Sequence, residues 1–326
     1  MENKYRLPKM VIPSYYSITI KPDLDSEKFS GSETITLTVK DKINSIKLNS
    51  IGLKIDKAKI RDVGLKPINI SEDKDHETIS VNFKEYLNPG EYKLDLEFHG
   101  DLDNSLRGFY LSRYKDDKGV DHKIGTTQFE STDARRAFPC FDEPEFKSVF
   151  SITLEVPKGL FTVSNTGIKN ITNTNSHDIY EFEDSIKMST YLVAFVIGPF
   201  EATDPVDVDG VPLRIVHAIG KSHLTDFAIE TGKFALKYFS NYFGRPYPGD
   251  KLDMIAIPDF ASGAMENLGC ITYREALLLV NKEEATQSEL TRIADVVMHE
   301  IAHMWFGDLV TMKWWNGIWL NEAFAT

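Results

Sequence analysis

The chain has 326 residues and a formal net charge of −12, with 42% hydrophobic and 26% charged residues. Its length suits two globular domains of ordinary composition. The negative charge argues against nucleic acid or an anionic membrane surface as a partner, and no apolar run approaches the ~20 residues that span a bilayer.

The N-terminal two hundred residues are predicted to be β-strands. Apolar residues alternate with polar ones in segments such as 34–39 and 92–98, which indicates half-buried antiparallel strands. Turn signals such as Asn88-Pro89-Gly90 separate these segments. The pattern predicts an all-β N-terminal domain over residues 1–203, with a sandwich or saddle-like form.

The pattern changes after about residue 203. Pro205, Gly210 and Pro212 suggest a turn-rich boundary over 203–212. Apolar spacing then predicts a helix over 222–243, and residues 252–257 read as a strand. We therefore predict a second domain over residues 204–326, with both helices and strands.

A zinc-binding pattern stands near the end of the sequence. His299 and His303 lie four positions apart, so a helix would place both imidazoles on one face. Glu322 follows His303 after eighteen intervening residues and would complete three protein ligands. Glu300 lies between the histidines and is predicted to accept the proton of a zinc-bound water, giving a hydroxide for amide hydrolysis. An isolated HExxH pattern occurs by chance, but Glu322 makes the combination specific.

Two further signals frame this pattern. Thr286 and Glu289 have the spacing of a capping box at the start of the first ligand helix, and Gly307 suggests its end. Three tryptophans at 314, 315 and 319 predict that the second ligand helix is anchored in apolar surroundings.

Several motifs together resemble the aminopeptidase N family of zinc metallopeptidases (peptidase family M1). They are the Gly-Ala-Met-Glu-Asn segment at 263–267, the HExxH pattern with its third ligand, and the segments 127–130, 133–144 and 191–195. The resemblance implies a β-rich N-terminal domain followed by a thermolysin-like catalytic domain, with one zinc ion per chain.

The resemblance also implies the substrate. In the family the glutamate of the Gly-Ala-Met-Glu-Asn segment, here Glu266, binds the free α-amino group of a peptide, and Glu130 assists it. The main chain of Gly263 and Ala264 is expected to lie along the substrate backbone. Two carboxylates suit an ammonium group, whereas an acetylated N-terminus would leave both charges unpaired. We therefore predict a zinc aminopeptidase that acts on peptides with a free N-terminus and takes part in peptide catabolism.

Alternatives remain open at this point. The family carries a catalytic tyrosine and a helical domain downstream of the third ligand, so we expect the chain to be a fragment of a longer enzyme. A peptide-binding short form with little or no activity is one alternative. A related epoxide hydrolase is another, although that relative has Gly-Gly where this chain has Gly263-Ala264.

The cellular location is predicted from two weak signals. No apolar segment near Met1 resembles a signal peptide. Cys140 and Cys270 have no spacing typical of a metal or redox site and are predicted to be buried and reduced. Both signals favour the cytoplasm. The sequence predicts neither the oligomeric state nor which N-terminal side chain of a substrate is preferred.

Overall fold

The computed structural model describes residues 5–116 and 118–326. Within these residues the strands are β1 (Val11–Asp23), β2 (Lys28–Val39), β3 (Ile43–Asn49), β4 (Lys54–Ile60), β5 (Asn69–Asp73), β6 (Thr78–Leu87), β7 (Gly90–Asp101), β8 (Gly108–Lys115), β9 (Asp121–Gln128), β10 (Val149–Pro157), β11 (Phe161–Ser164), β12 (Ile168–Asn173), β13 (His177–Phe182), β14 (Phe195–Gly198), β15 (Phe200–Ala202), β16 (Val206–Val208), β17 (Val211–Ala218), β18 (Leu252–Ile257), β19 (Ala264–Met265) and β20 (Cys270–Arg274). The α-helices are α1 (Asp226–Tyr242), α2 (Gln287–Ala302) and α3 (Trp319–Ala325).

The N-terminal part is built from three sheets. The largest has seven strands in the order β12-β13-β10-β1-β2-β7-β4, and the others have the orders β11-β14-β9-β8 and β3-β6-β5. The alternation seen in the sequence sets the two faces of these strands, as in β2, where Ile35, Leu37 and Val39 are buried and the threonines between them are only partly buried. The strand prediction for this region is confirmed.

The C-terminal part joins a six-stranded sheet to helices. Its strand order is β15-β17-β18-β20-β19, with β16 paired to β17. The central strands β17, β18 and β20 run parallel, and β19 is an antiparallel edge strand. The predicted fold class, an all-β N-terminal domain followed by an α+β peptidase domain, is confirmed.

The region 203–212 contains a turn, as its sequence predicts. Residues 206–208 form β16, which pairs with the start of β17 through a turn in which Asp209 and Gly210 both have positive φ. The turn residues therefore close a β-hairpin. The division of the chain between residues 203 and 204 remains a prediction.

Two other local expectations, the helix cap at Thr286 and the burial of both cysteines, are met. Thr286 caps α2: its hydroxyl accepts from the Glu289 amide, while the Glu289 carboxylate accepts from the Thr286 amide at 2.8 Å. Both cysteines are buried and free. No helix in the described residues is long and apolar enough to cross a membrane.

Candidate metal centre

Helix α2 and the turn after it present the two histidines to one point. The helix ends at Ala302, five residues before Gly307, because the next amides bond three residues back: Met304 to Ile301 and Trp305 to Ala302. His303 is the C-cap but keeps helical dihedrals of −59° and −24°. It therefore stays one turn beyond His299, and the two Nε2 atoms are 3.0 Å apart.

Helix α3 brings the third side chain to the same point. Glu322 Oε2 lies 3.4 Å from His299 Nε2 and 3.8 Å from His303 Nε2. Tetrahedral zinc with bonds of ~2.0–2.1 Å would separate its ligand atoms by ~3.3 Å. Two imidazole nitrogens and one carboxylate oxygen, all within 4.8 Å of one another, fit a zinc ion in chemistry and spacing.

Hydrogen bonding leaves His303 ready to bind a metal. Its Nδ1 lies 2.9 Å from the Phe306 carbonyl oxygen and donates to it, so Nε2 keeps its lone pair. Burial, with the nearby His299, lowers the pKa of His303 to about 4. The hydrogen bond with Glu322 raises the pKa of His299. His303 is therefore neutral over the physiological range, as a metal ligand must be.

Glu300 lies beside the ligands with an unsatisfied carboxyl. It is 5% exposed, and its Oε2 has no hydrogen-bond partner among the described residues. Burial, and then the charges of Glu266 and Glu130, raise its pKa well above the ordinary value. With His299 it lines an open groove of about 930 Å³. A carboxyl at this position can exchange protons with a molecule in the groove.

Two more acidic side chains lie near these groups. Glu266 is 3% exposed, and its Oε1 accepts no hydrogen bond within the described part of the chain. Burial raises its pKa to about 7, and the charge of Glu322 adds to the effect. Burial, followed by the charges of Glu266 and Glu322, raises the pKa of Glu130 to about 8. Buried carboxyls that repel one another in this way suit a cationic ligand.

The segment that precedes Glu266 forms one wall of the groove. Gly263 and Ala264 line it together with His299 and Glu300. Ala264 pairs with Tyr273 of β20, while the other edge of β19 carries no strand in the described residues. That free edge leaves main-chain groups available to an extended peptide. Of the eight residues singled out in the sequence, Gly263, Ala264, His299 and Glu300 line this groove. His303 and Glu322 lie against His299, and the charges of Glu266 and Glu130 act on Glu300.

The sequence did not reveal how the ligand segments are joined. The Tyr191 hydroxyl donates to the Gly307 carbonyl oxygen at 3.1 Å and accepts from Asn321 Nδ2 at 3.1 Å. This buried tyrosine thus links the turn after His303 to the residue before Glu322. The only signal in the sequence was that Tyr191 opens the segment 191–195, which resembles a segment of the family.

The prediction that the tryptophans anchor α3 in apolar surroundings is wrong in part. Trp319 is 62% exposed, although Trp315 packs edge-on against Tyr191 with ring centroids 5.4 Å apart. The helix is held instead by Asn321, which is fully buried, and by Phe324, whose ring stacks on Phe306 at 4.6 Å. Trp319 lies on the opposite, exposed side of this short helix.

Comparison with known proteins agrees with this geometry. Residues 12–192 match the Peptidase M1 N-terminal domain and residues 227–326 match the Peptidase family M1 domain. Over 98% of its length the chain is 43% identical to Aminopeptidase M1-C of Oryza sativa subsp. japonica, of which it covers 36%. Over 98% it is also 42% identical to Aminopeptidase 2 of Candida albicans and 39% identical to the puromycin-sensitive aminopeptidase of Caenorhabditis elegans, covering 34% of each. The chain thus spans about one third of the length of these relatives.

Proposed function

Because the chain belongs to peptidase family M1, we propose that it carries the metal and amine sites of a zinc aminopeptidase, which removes N-terminal residues from peptides. The observation that supports this most strongly is the convergence of His299, His303 and Glu322 beside two further buried carboxyls. The similar proteins reported above are named aminopeptidases, which agrees with the proposal.

His299, His303 and Glu322 would hold the zinc ion. When bound, zinc supplies a Lewis acid that activates water and polarises a carbonyl group. The Nδ1 hydrogen bond of His303 fixes the orientation of its ring, so little freedom is lost on binding. A divalent cation at this point would also offset the mutual repulsion of the surrounding carboxylates.

Glu300 is proposed as the group that moves the proton. It accepts a proton from the attacking water and later donates it to the leaving amine, as a general base and then a general acid. Burial and the neighbouring carboxylates raise the pKa of Glu300. The carboxyl can therefore take up a proton and release it again, instead of remaining ionised throughout.

Glu266 and Glu130 are proposed to hold the N-terminal ammonium group. An α-amino group has a pKa near ~8 and is largely charged at neutral pH. A peptide held in this way offers only its first peptide bond to the metal centre, with its backbone along Gly263 and Ala264. An acetylated or internal segment would bury carboxylates without a partner, which disfavours binding by several kcal/mol.

The test compares a leucyl amide with its N-acetyl derivative in the presence of zinc and after chelation. The proposal expects turnover of the free amine only, and loss of turnover without zinc. Tight binding of the free amine without hydrolysis would instead support the peptide-binding short form. Turnover of a lipid epoxide but not of the amide would support the epoxide hydrolase.

We also propose peptides with a free N-terminus as the partners and the cytoplasm as the location. The location is supported by the two buried, free thiols Cys140 and Cys270, which suit a reducing compartment. Fractionation of the source cells, with detection of the chain in the soluble or organelle fractions, tests this.

A further inference from the structure

The segment 266–269, here called the amine loop, is held from outside the groove by Asn165. The Asn165 side-chain Nδ2 donates to the Leu268 carbonyl oxygen at 2.9 Å and to the Leu192 carbonyl oxygen at 2.7 Å. Its Oδ1 accepts from the Ala194 amide at 2.9 Å. Both amide hydrogens and the oxygen are therefore used, and the residue is 3% exposed. One side chain thus joins the amine loop to the segment 192–194.

Lys251 makes a second connection next to the first. Its Nζ donates to the Gly269 carbonyl oxygen at 2.6 Å and to the Ser164 carbonyl oxygen at 2.7 Å, and it pairs with Asp253 Oδ2 at 2.9 Å. The three N–H groups of the ammonium have three acceptors, and the residue is 8% exposed. A buried charge with complete partners holds its neighbours in one geometry.

Gly269 brings the two main chains into contact at this junction. Its φ is +69°, and a Cβ placed there would lie 2.1 Å from the Asn165 carbonyl oxygen. Only glycine permits so close an approach. The end of the amine loop is therefore pressed directly against the strand end at 164–165.

The other side of the junction leads to the metal ligands. The segment 192–194 that Asn165 binds follows Tyr191, whose hydroxyl bonds to Gly307 and Asn321. One short stretch of chain, residues 191–194, therefore contacts both the amine loop's anchor and the segments that carry His303 and Glu322. This arrangement relates the position of Glu266 to that of the metal centre.

We propose that Asn165 and Lys251 are positioning residues for N-terminal amine recognition, which set the distance between Glu266 and the metal ligands. The inference rests on the proposed function. It adds two residues that decide which peptide bond of the substrate lies at the metal centre. Neither side chain lines the groove that His299 and Glu300 form. Misplacement by about 1 Å lowers the efficiency of an oriented site by up to ~10²-fold, so the loss of one connection has a measurable effect.

Lys251→Met tests the proposal most cleanly. Methionine keeps the length of the side chain, and Asp253 keeps its paired contacts with Arg214 at 2.6 and 3.1 Å. Lys123→Met is the matched control. Lys123 Nζ also donates to a main-chain carbonyl oxygen, that of Leu24, and to a carboxylate, that of Glu27. Lys123 does not line the groove. Asn165→Asp is the second variant: it keeps the acceptor for Ala194 and removes both donors.

The measurement is calorimetric binding of Leu-Gly-Gly and of N-acetyl-Leu-Gly-Gly to the zinc-loaded chain. A Glu300→Gln background prevents consumption of the peptide, and zinc affinity and thermal unfolding are measured in parallel. We expect Lys251→Met and Asn165→Asp to weaken binding of the free peptide by about 10-fold relative to the Lys123→Met control. Binding of the acetylated peptide and of zinc should stay unchanged.

Each other outcome decides against the inference. If the parent chain prefers the free peptide and both variants keep that preference, the positioning role is refuted while the proposed function stands. If zinc affinity falls in step with peptide affinity, the two residues support the fold in general and not the register. If the parent chain does not distinguish the two peptides, the proposed amine recognition fails, and the inference fails with it.

Discussion

Replacing Glu130 by glutamine should stabilise the metal-free chain, although Glu130 is proposed to bind substrate. Burial, and then the charges of Glu266 and Glu322, raise the pKa of Glu130 from 4.5 to about 8. In the unfolded chain the carboxyl loses its proton near pH 4.5, whereas in the folded chain it keeps the proton up to about pH 8. The folded state therefore binds more protons between these values, and its stability falls as the pH rises.

The size of the effect follows from the pKa difference. Each pH unit above 4.5 removes about 1.4 kcal/mol of stability until the folded pKa is reached. From pH 4.5 to pH 7 this amounts to roughly 3 kcal/mol, an upper limit because Glu266 carries part of the same repulsion. At pH 5 the stability lost through ionisation of Glu130 is less than about 1 kcal/mol by the same reasoning. Glutamine has a similar shape and no charge, so Glu130→Gln should remove this pH-dependent loss.

Urea unfolding in the presence of a chelator, at pH 5, 6, 7 and 8, measures the effect. We expect the advantage of Glu130→Gln over the parent chain to grow from pH 5 to pH 8 and to shrink when zinc is added, because a cation favours the carboxylate. Glu91→Gln, on the exposed face of β7, is the control and should show no such trend. An advantage of Glu130→Gln that is constant with pH, or is matched by Glu91→Gln, would refute the reasoning.

Three other predictions concern the site and its supports. Glu300→Gln should retain zinc while turnover of a leucyl amide falls by at least about 10²-fold; normal turnover in a steady-state assay would exclude the proton-transfer role. His303→Ala should abolish stoichiometric zinc binding after dialysis, because it removes one of three ligands, and full retention of zinc by mass spectrometry would contradict the proposed ligand set. Thr286→Ala should lower the free energy of unfolding by about 1 kcal/mol through loss of the α2 cap, with Thr286→Ser as a nearly neutral control; equal urea midpoints for both would disprove the contribution of the cap.

Much of the fold was predictable because it depends on local patterns. Alternation with a period of two marked strands such as β2 and β7, and their faces are buried as that pattern requires. The capping box at Thr286 marked the start of α2 correctly. The four-residue spacing of His299 and His303 was enough to predict that their imidazoles would meet.

Other features depended on residues far apart in the sequence. The glycine and prolines of 203–212 predicted turns, but not that β17, which follows them, pairs in parallel with the distant strand β18. The three tryptophans were expected to anchor α3 in apolar surroundings, but Trp319 is exposed and the short helix turns Asn321 inward instead. Gly307 was a plausible helix end, but α2 tightens at Ala302 before the chain reaches it.

The sequence by itself determined which residues could bind a metal, move a proton and recognise an amine, because these abilities belong to side-chain chemistry and short-range spacing. Only the tertiary structure decided how those groups are related. Glu130 and Glu266 lie 136 positions apart, and the charge of Glu266 helps to raise the pKa of Glu130 only because folding brings together the segments that follow β9 and β19. Asn165 and Lys251 carry no motif, and their connections exist because folding places main-chain carbonyl groups from distant segments around one buried amide and one buried ammonium group.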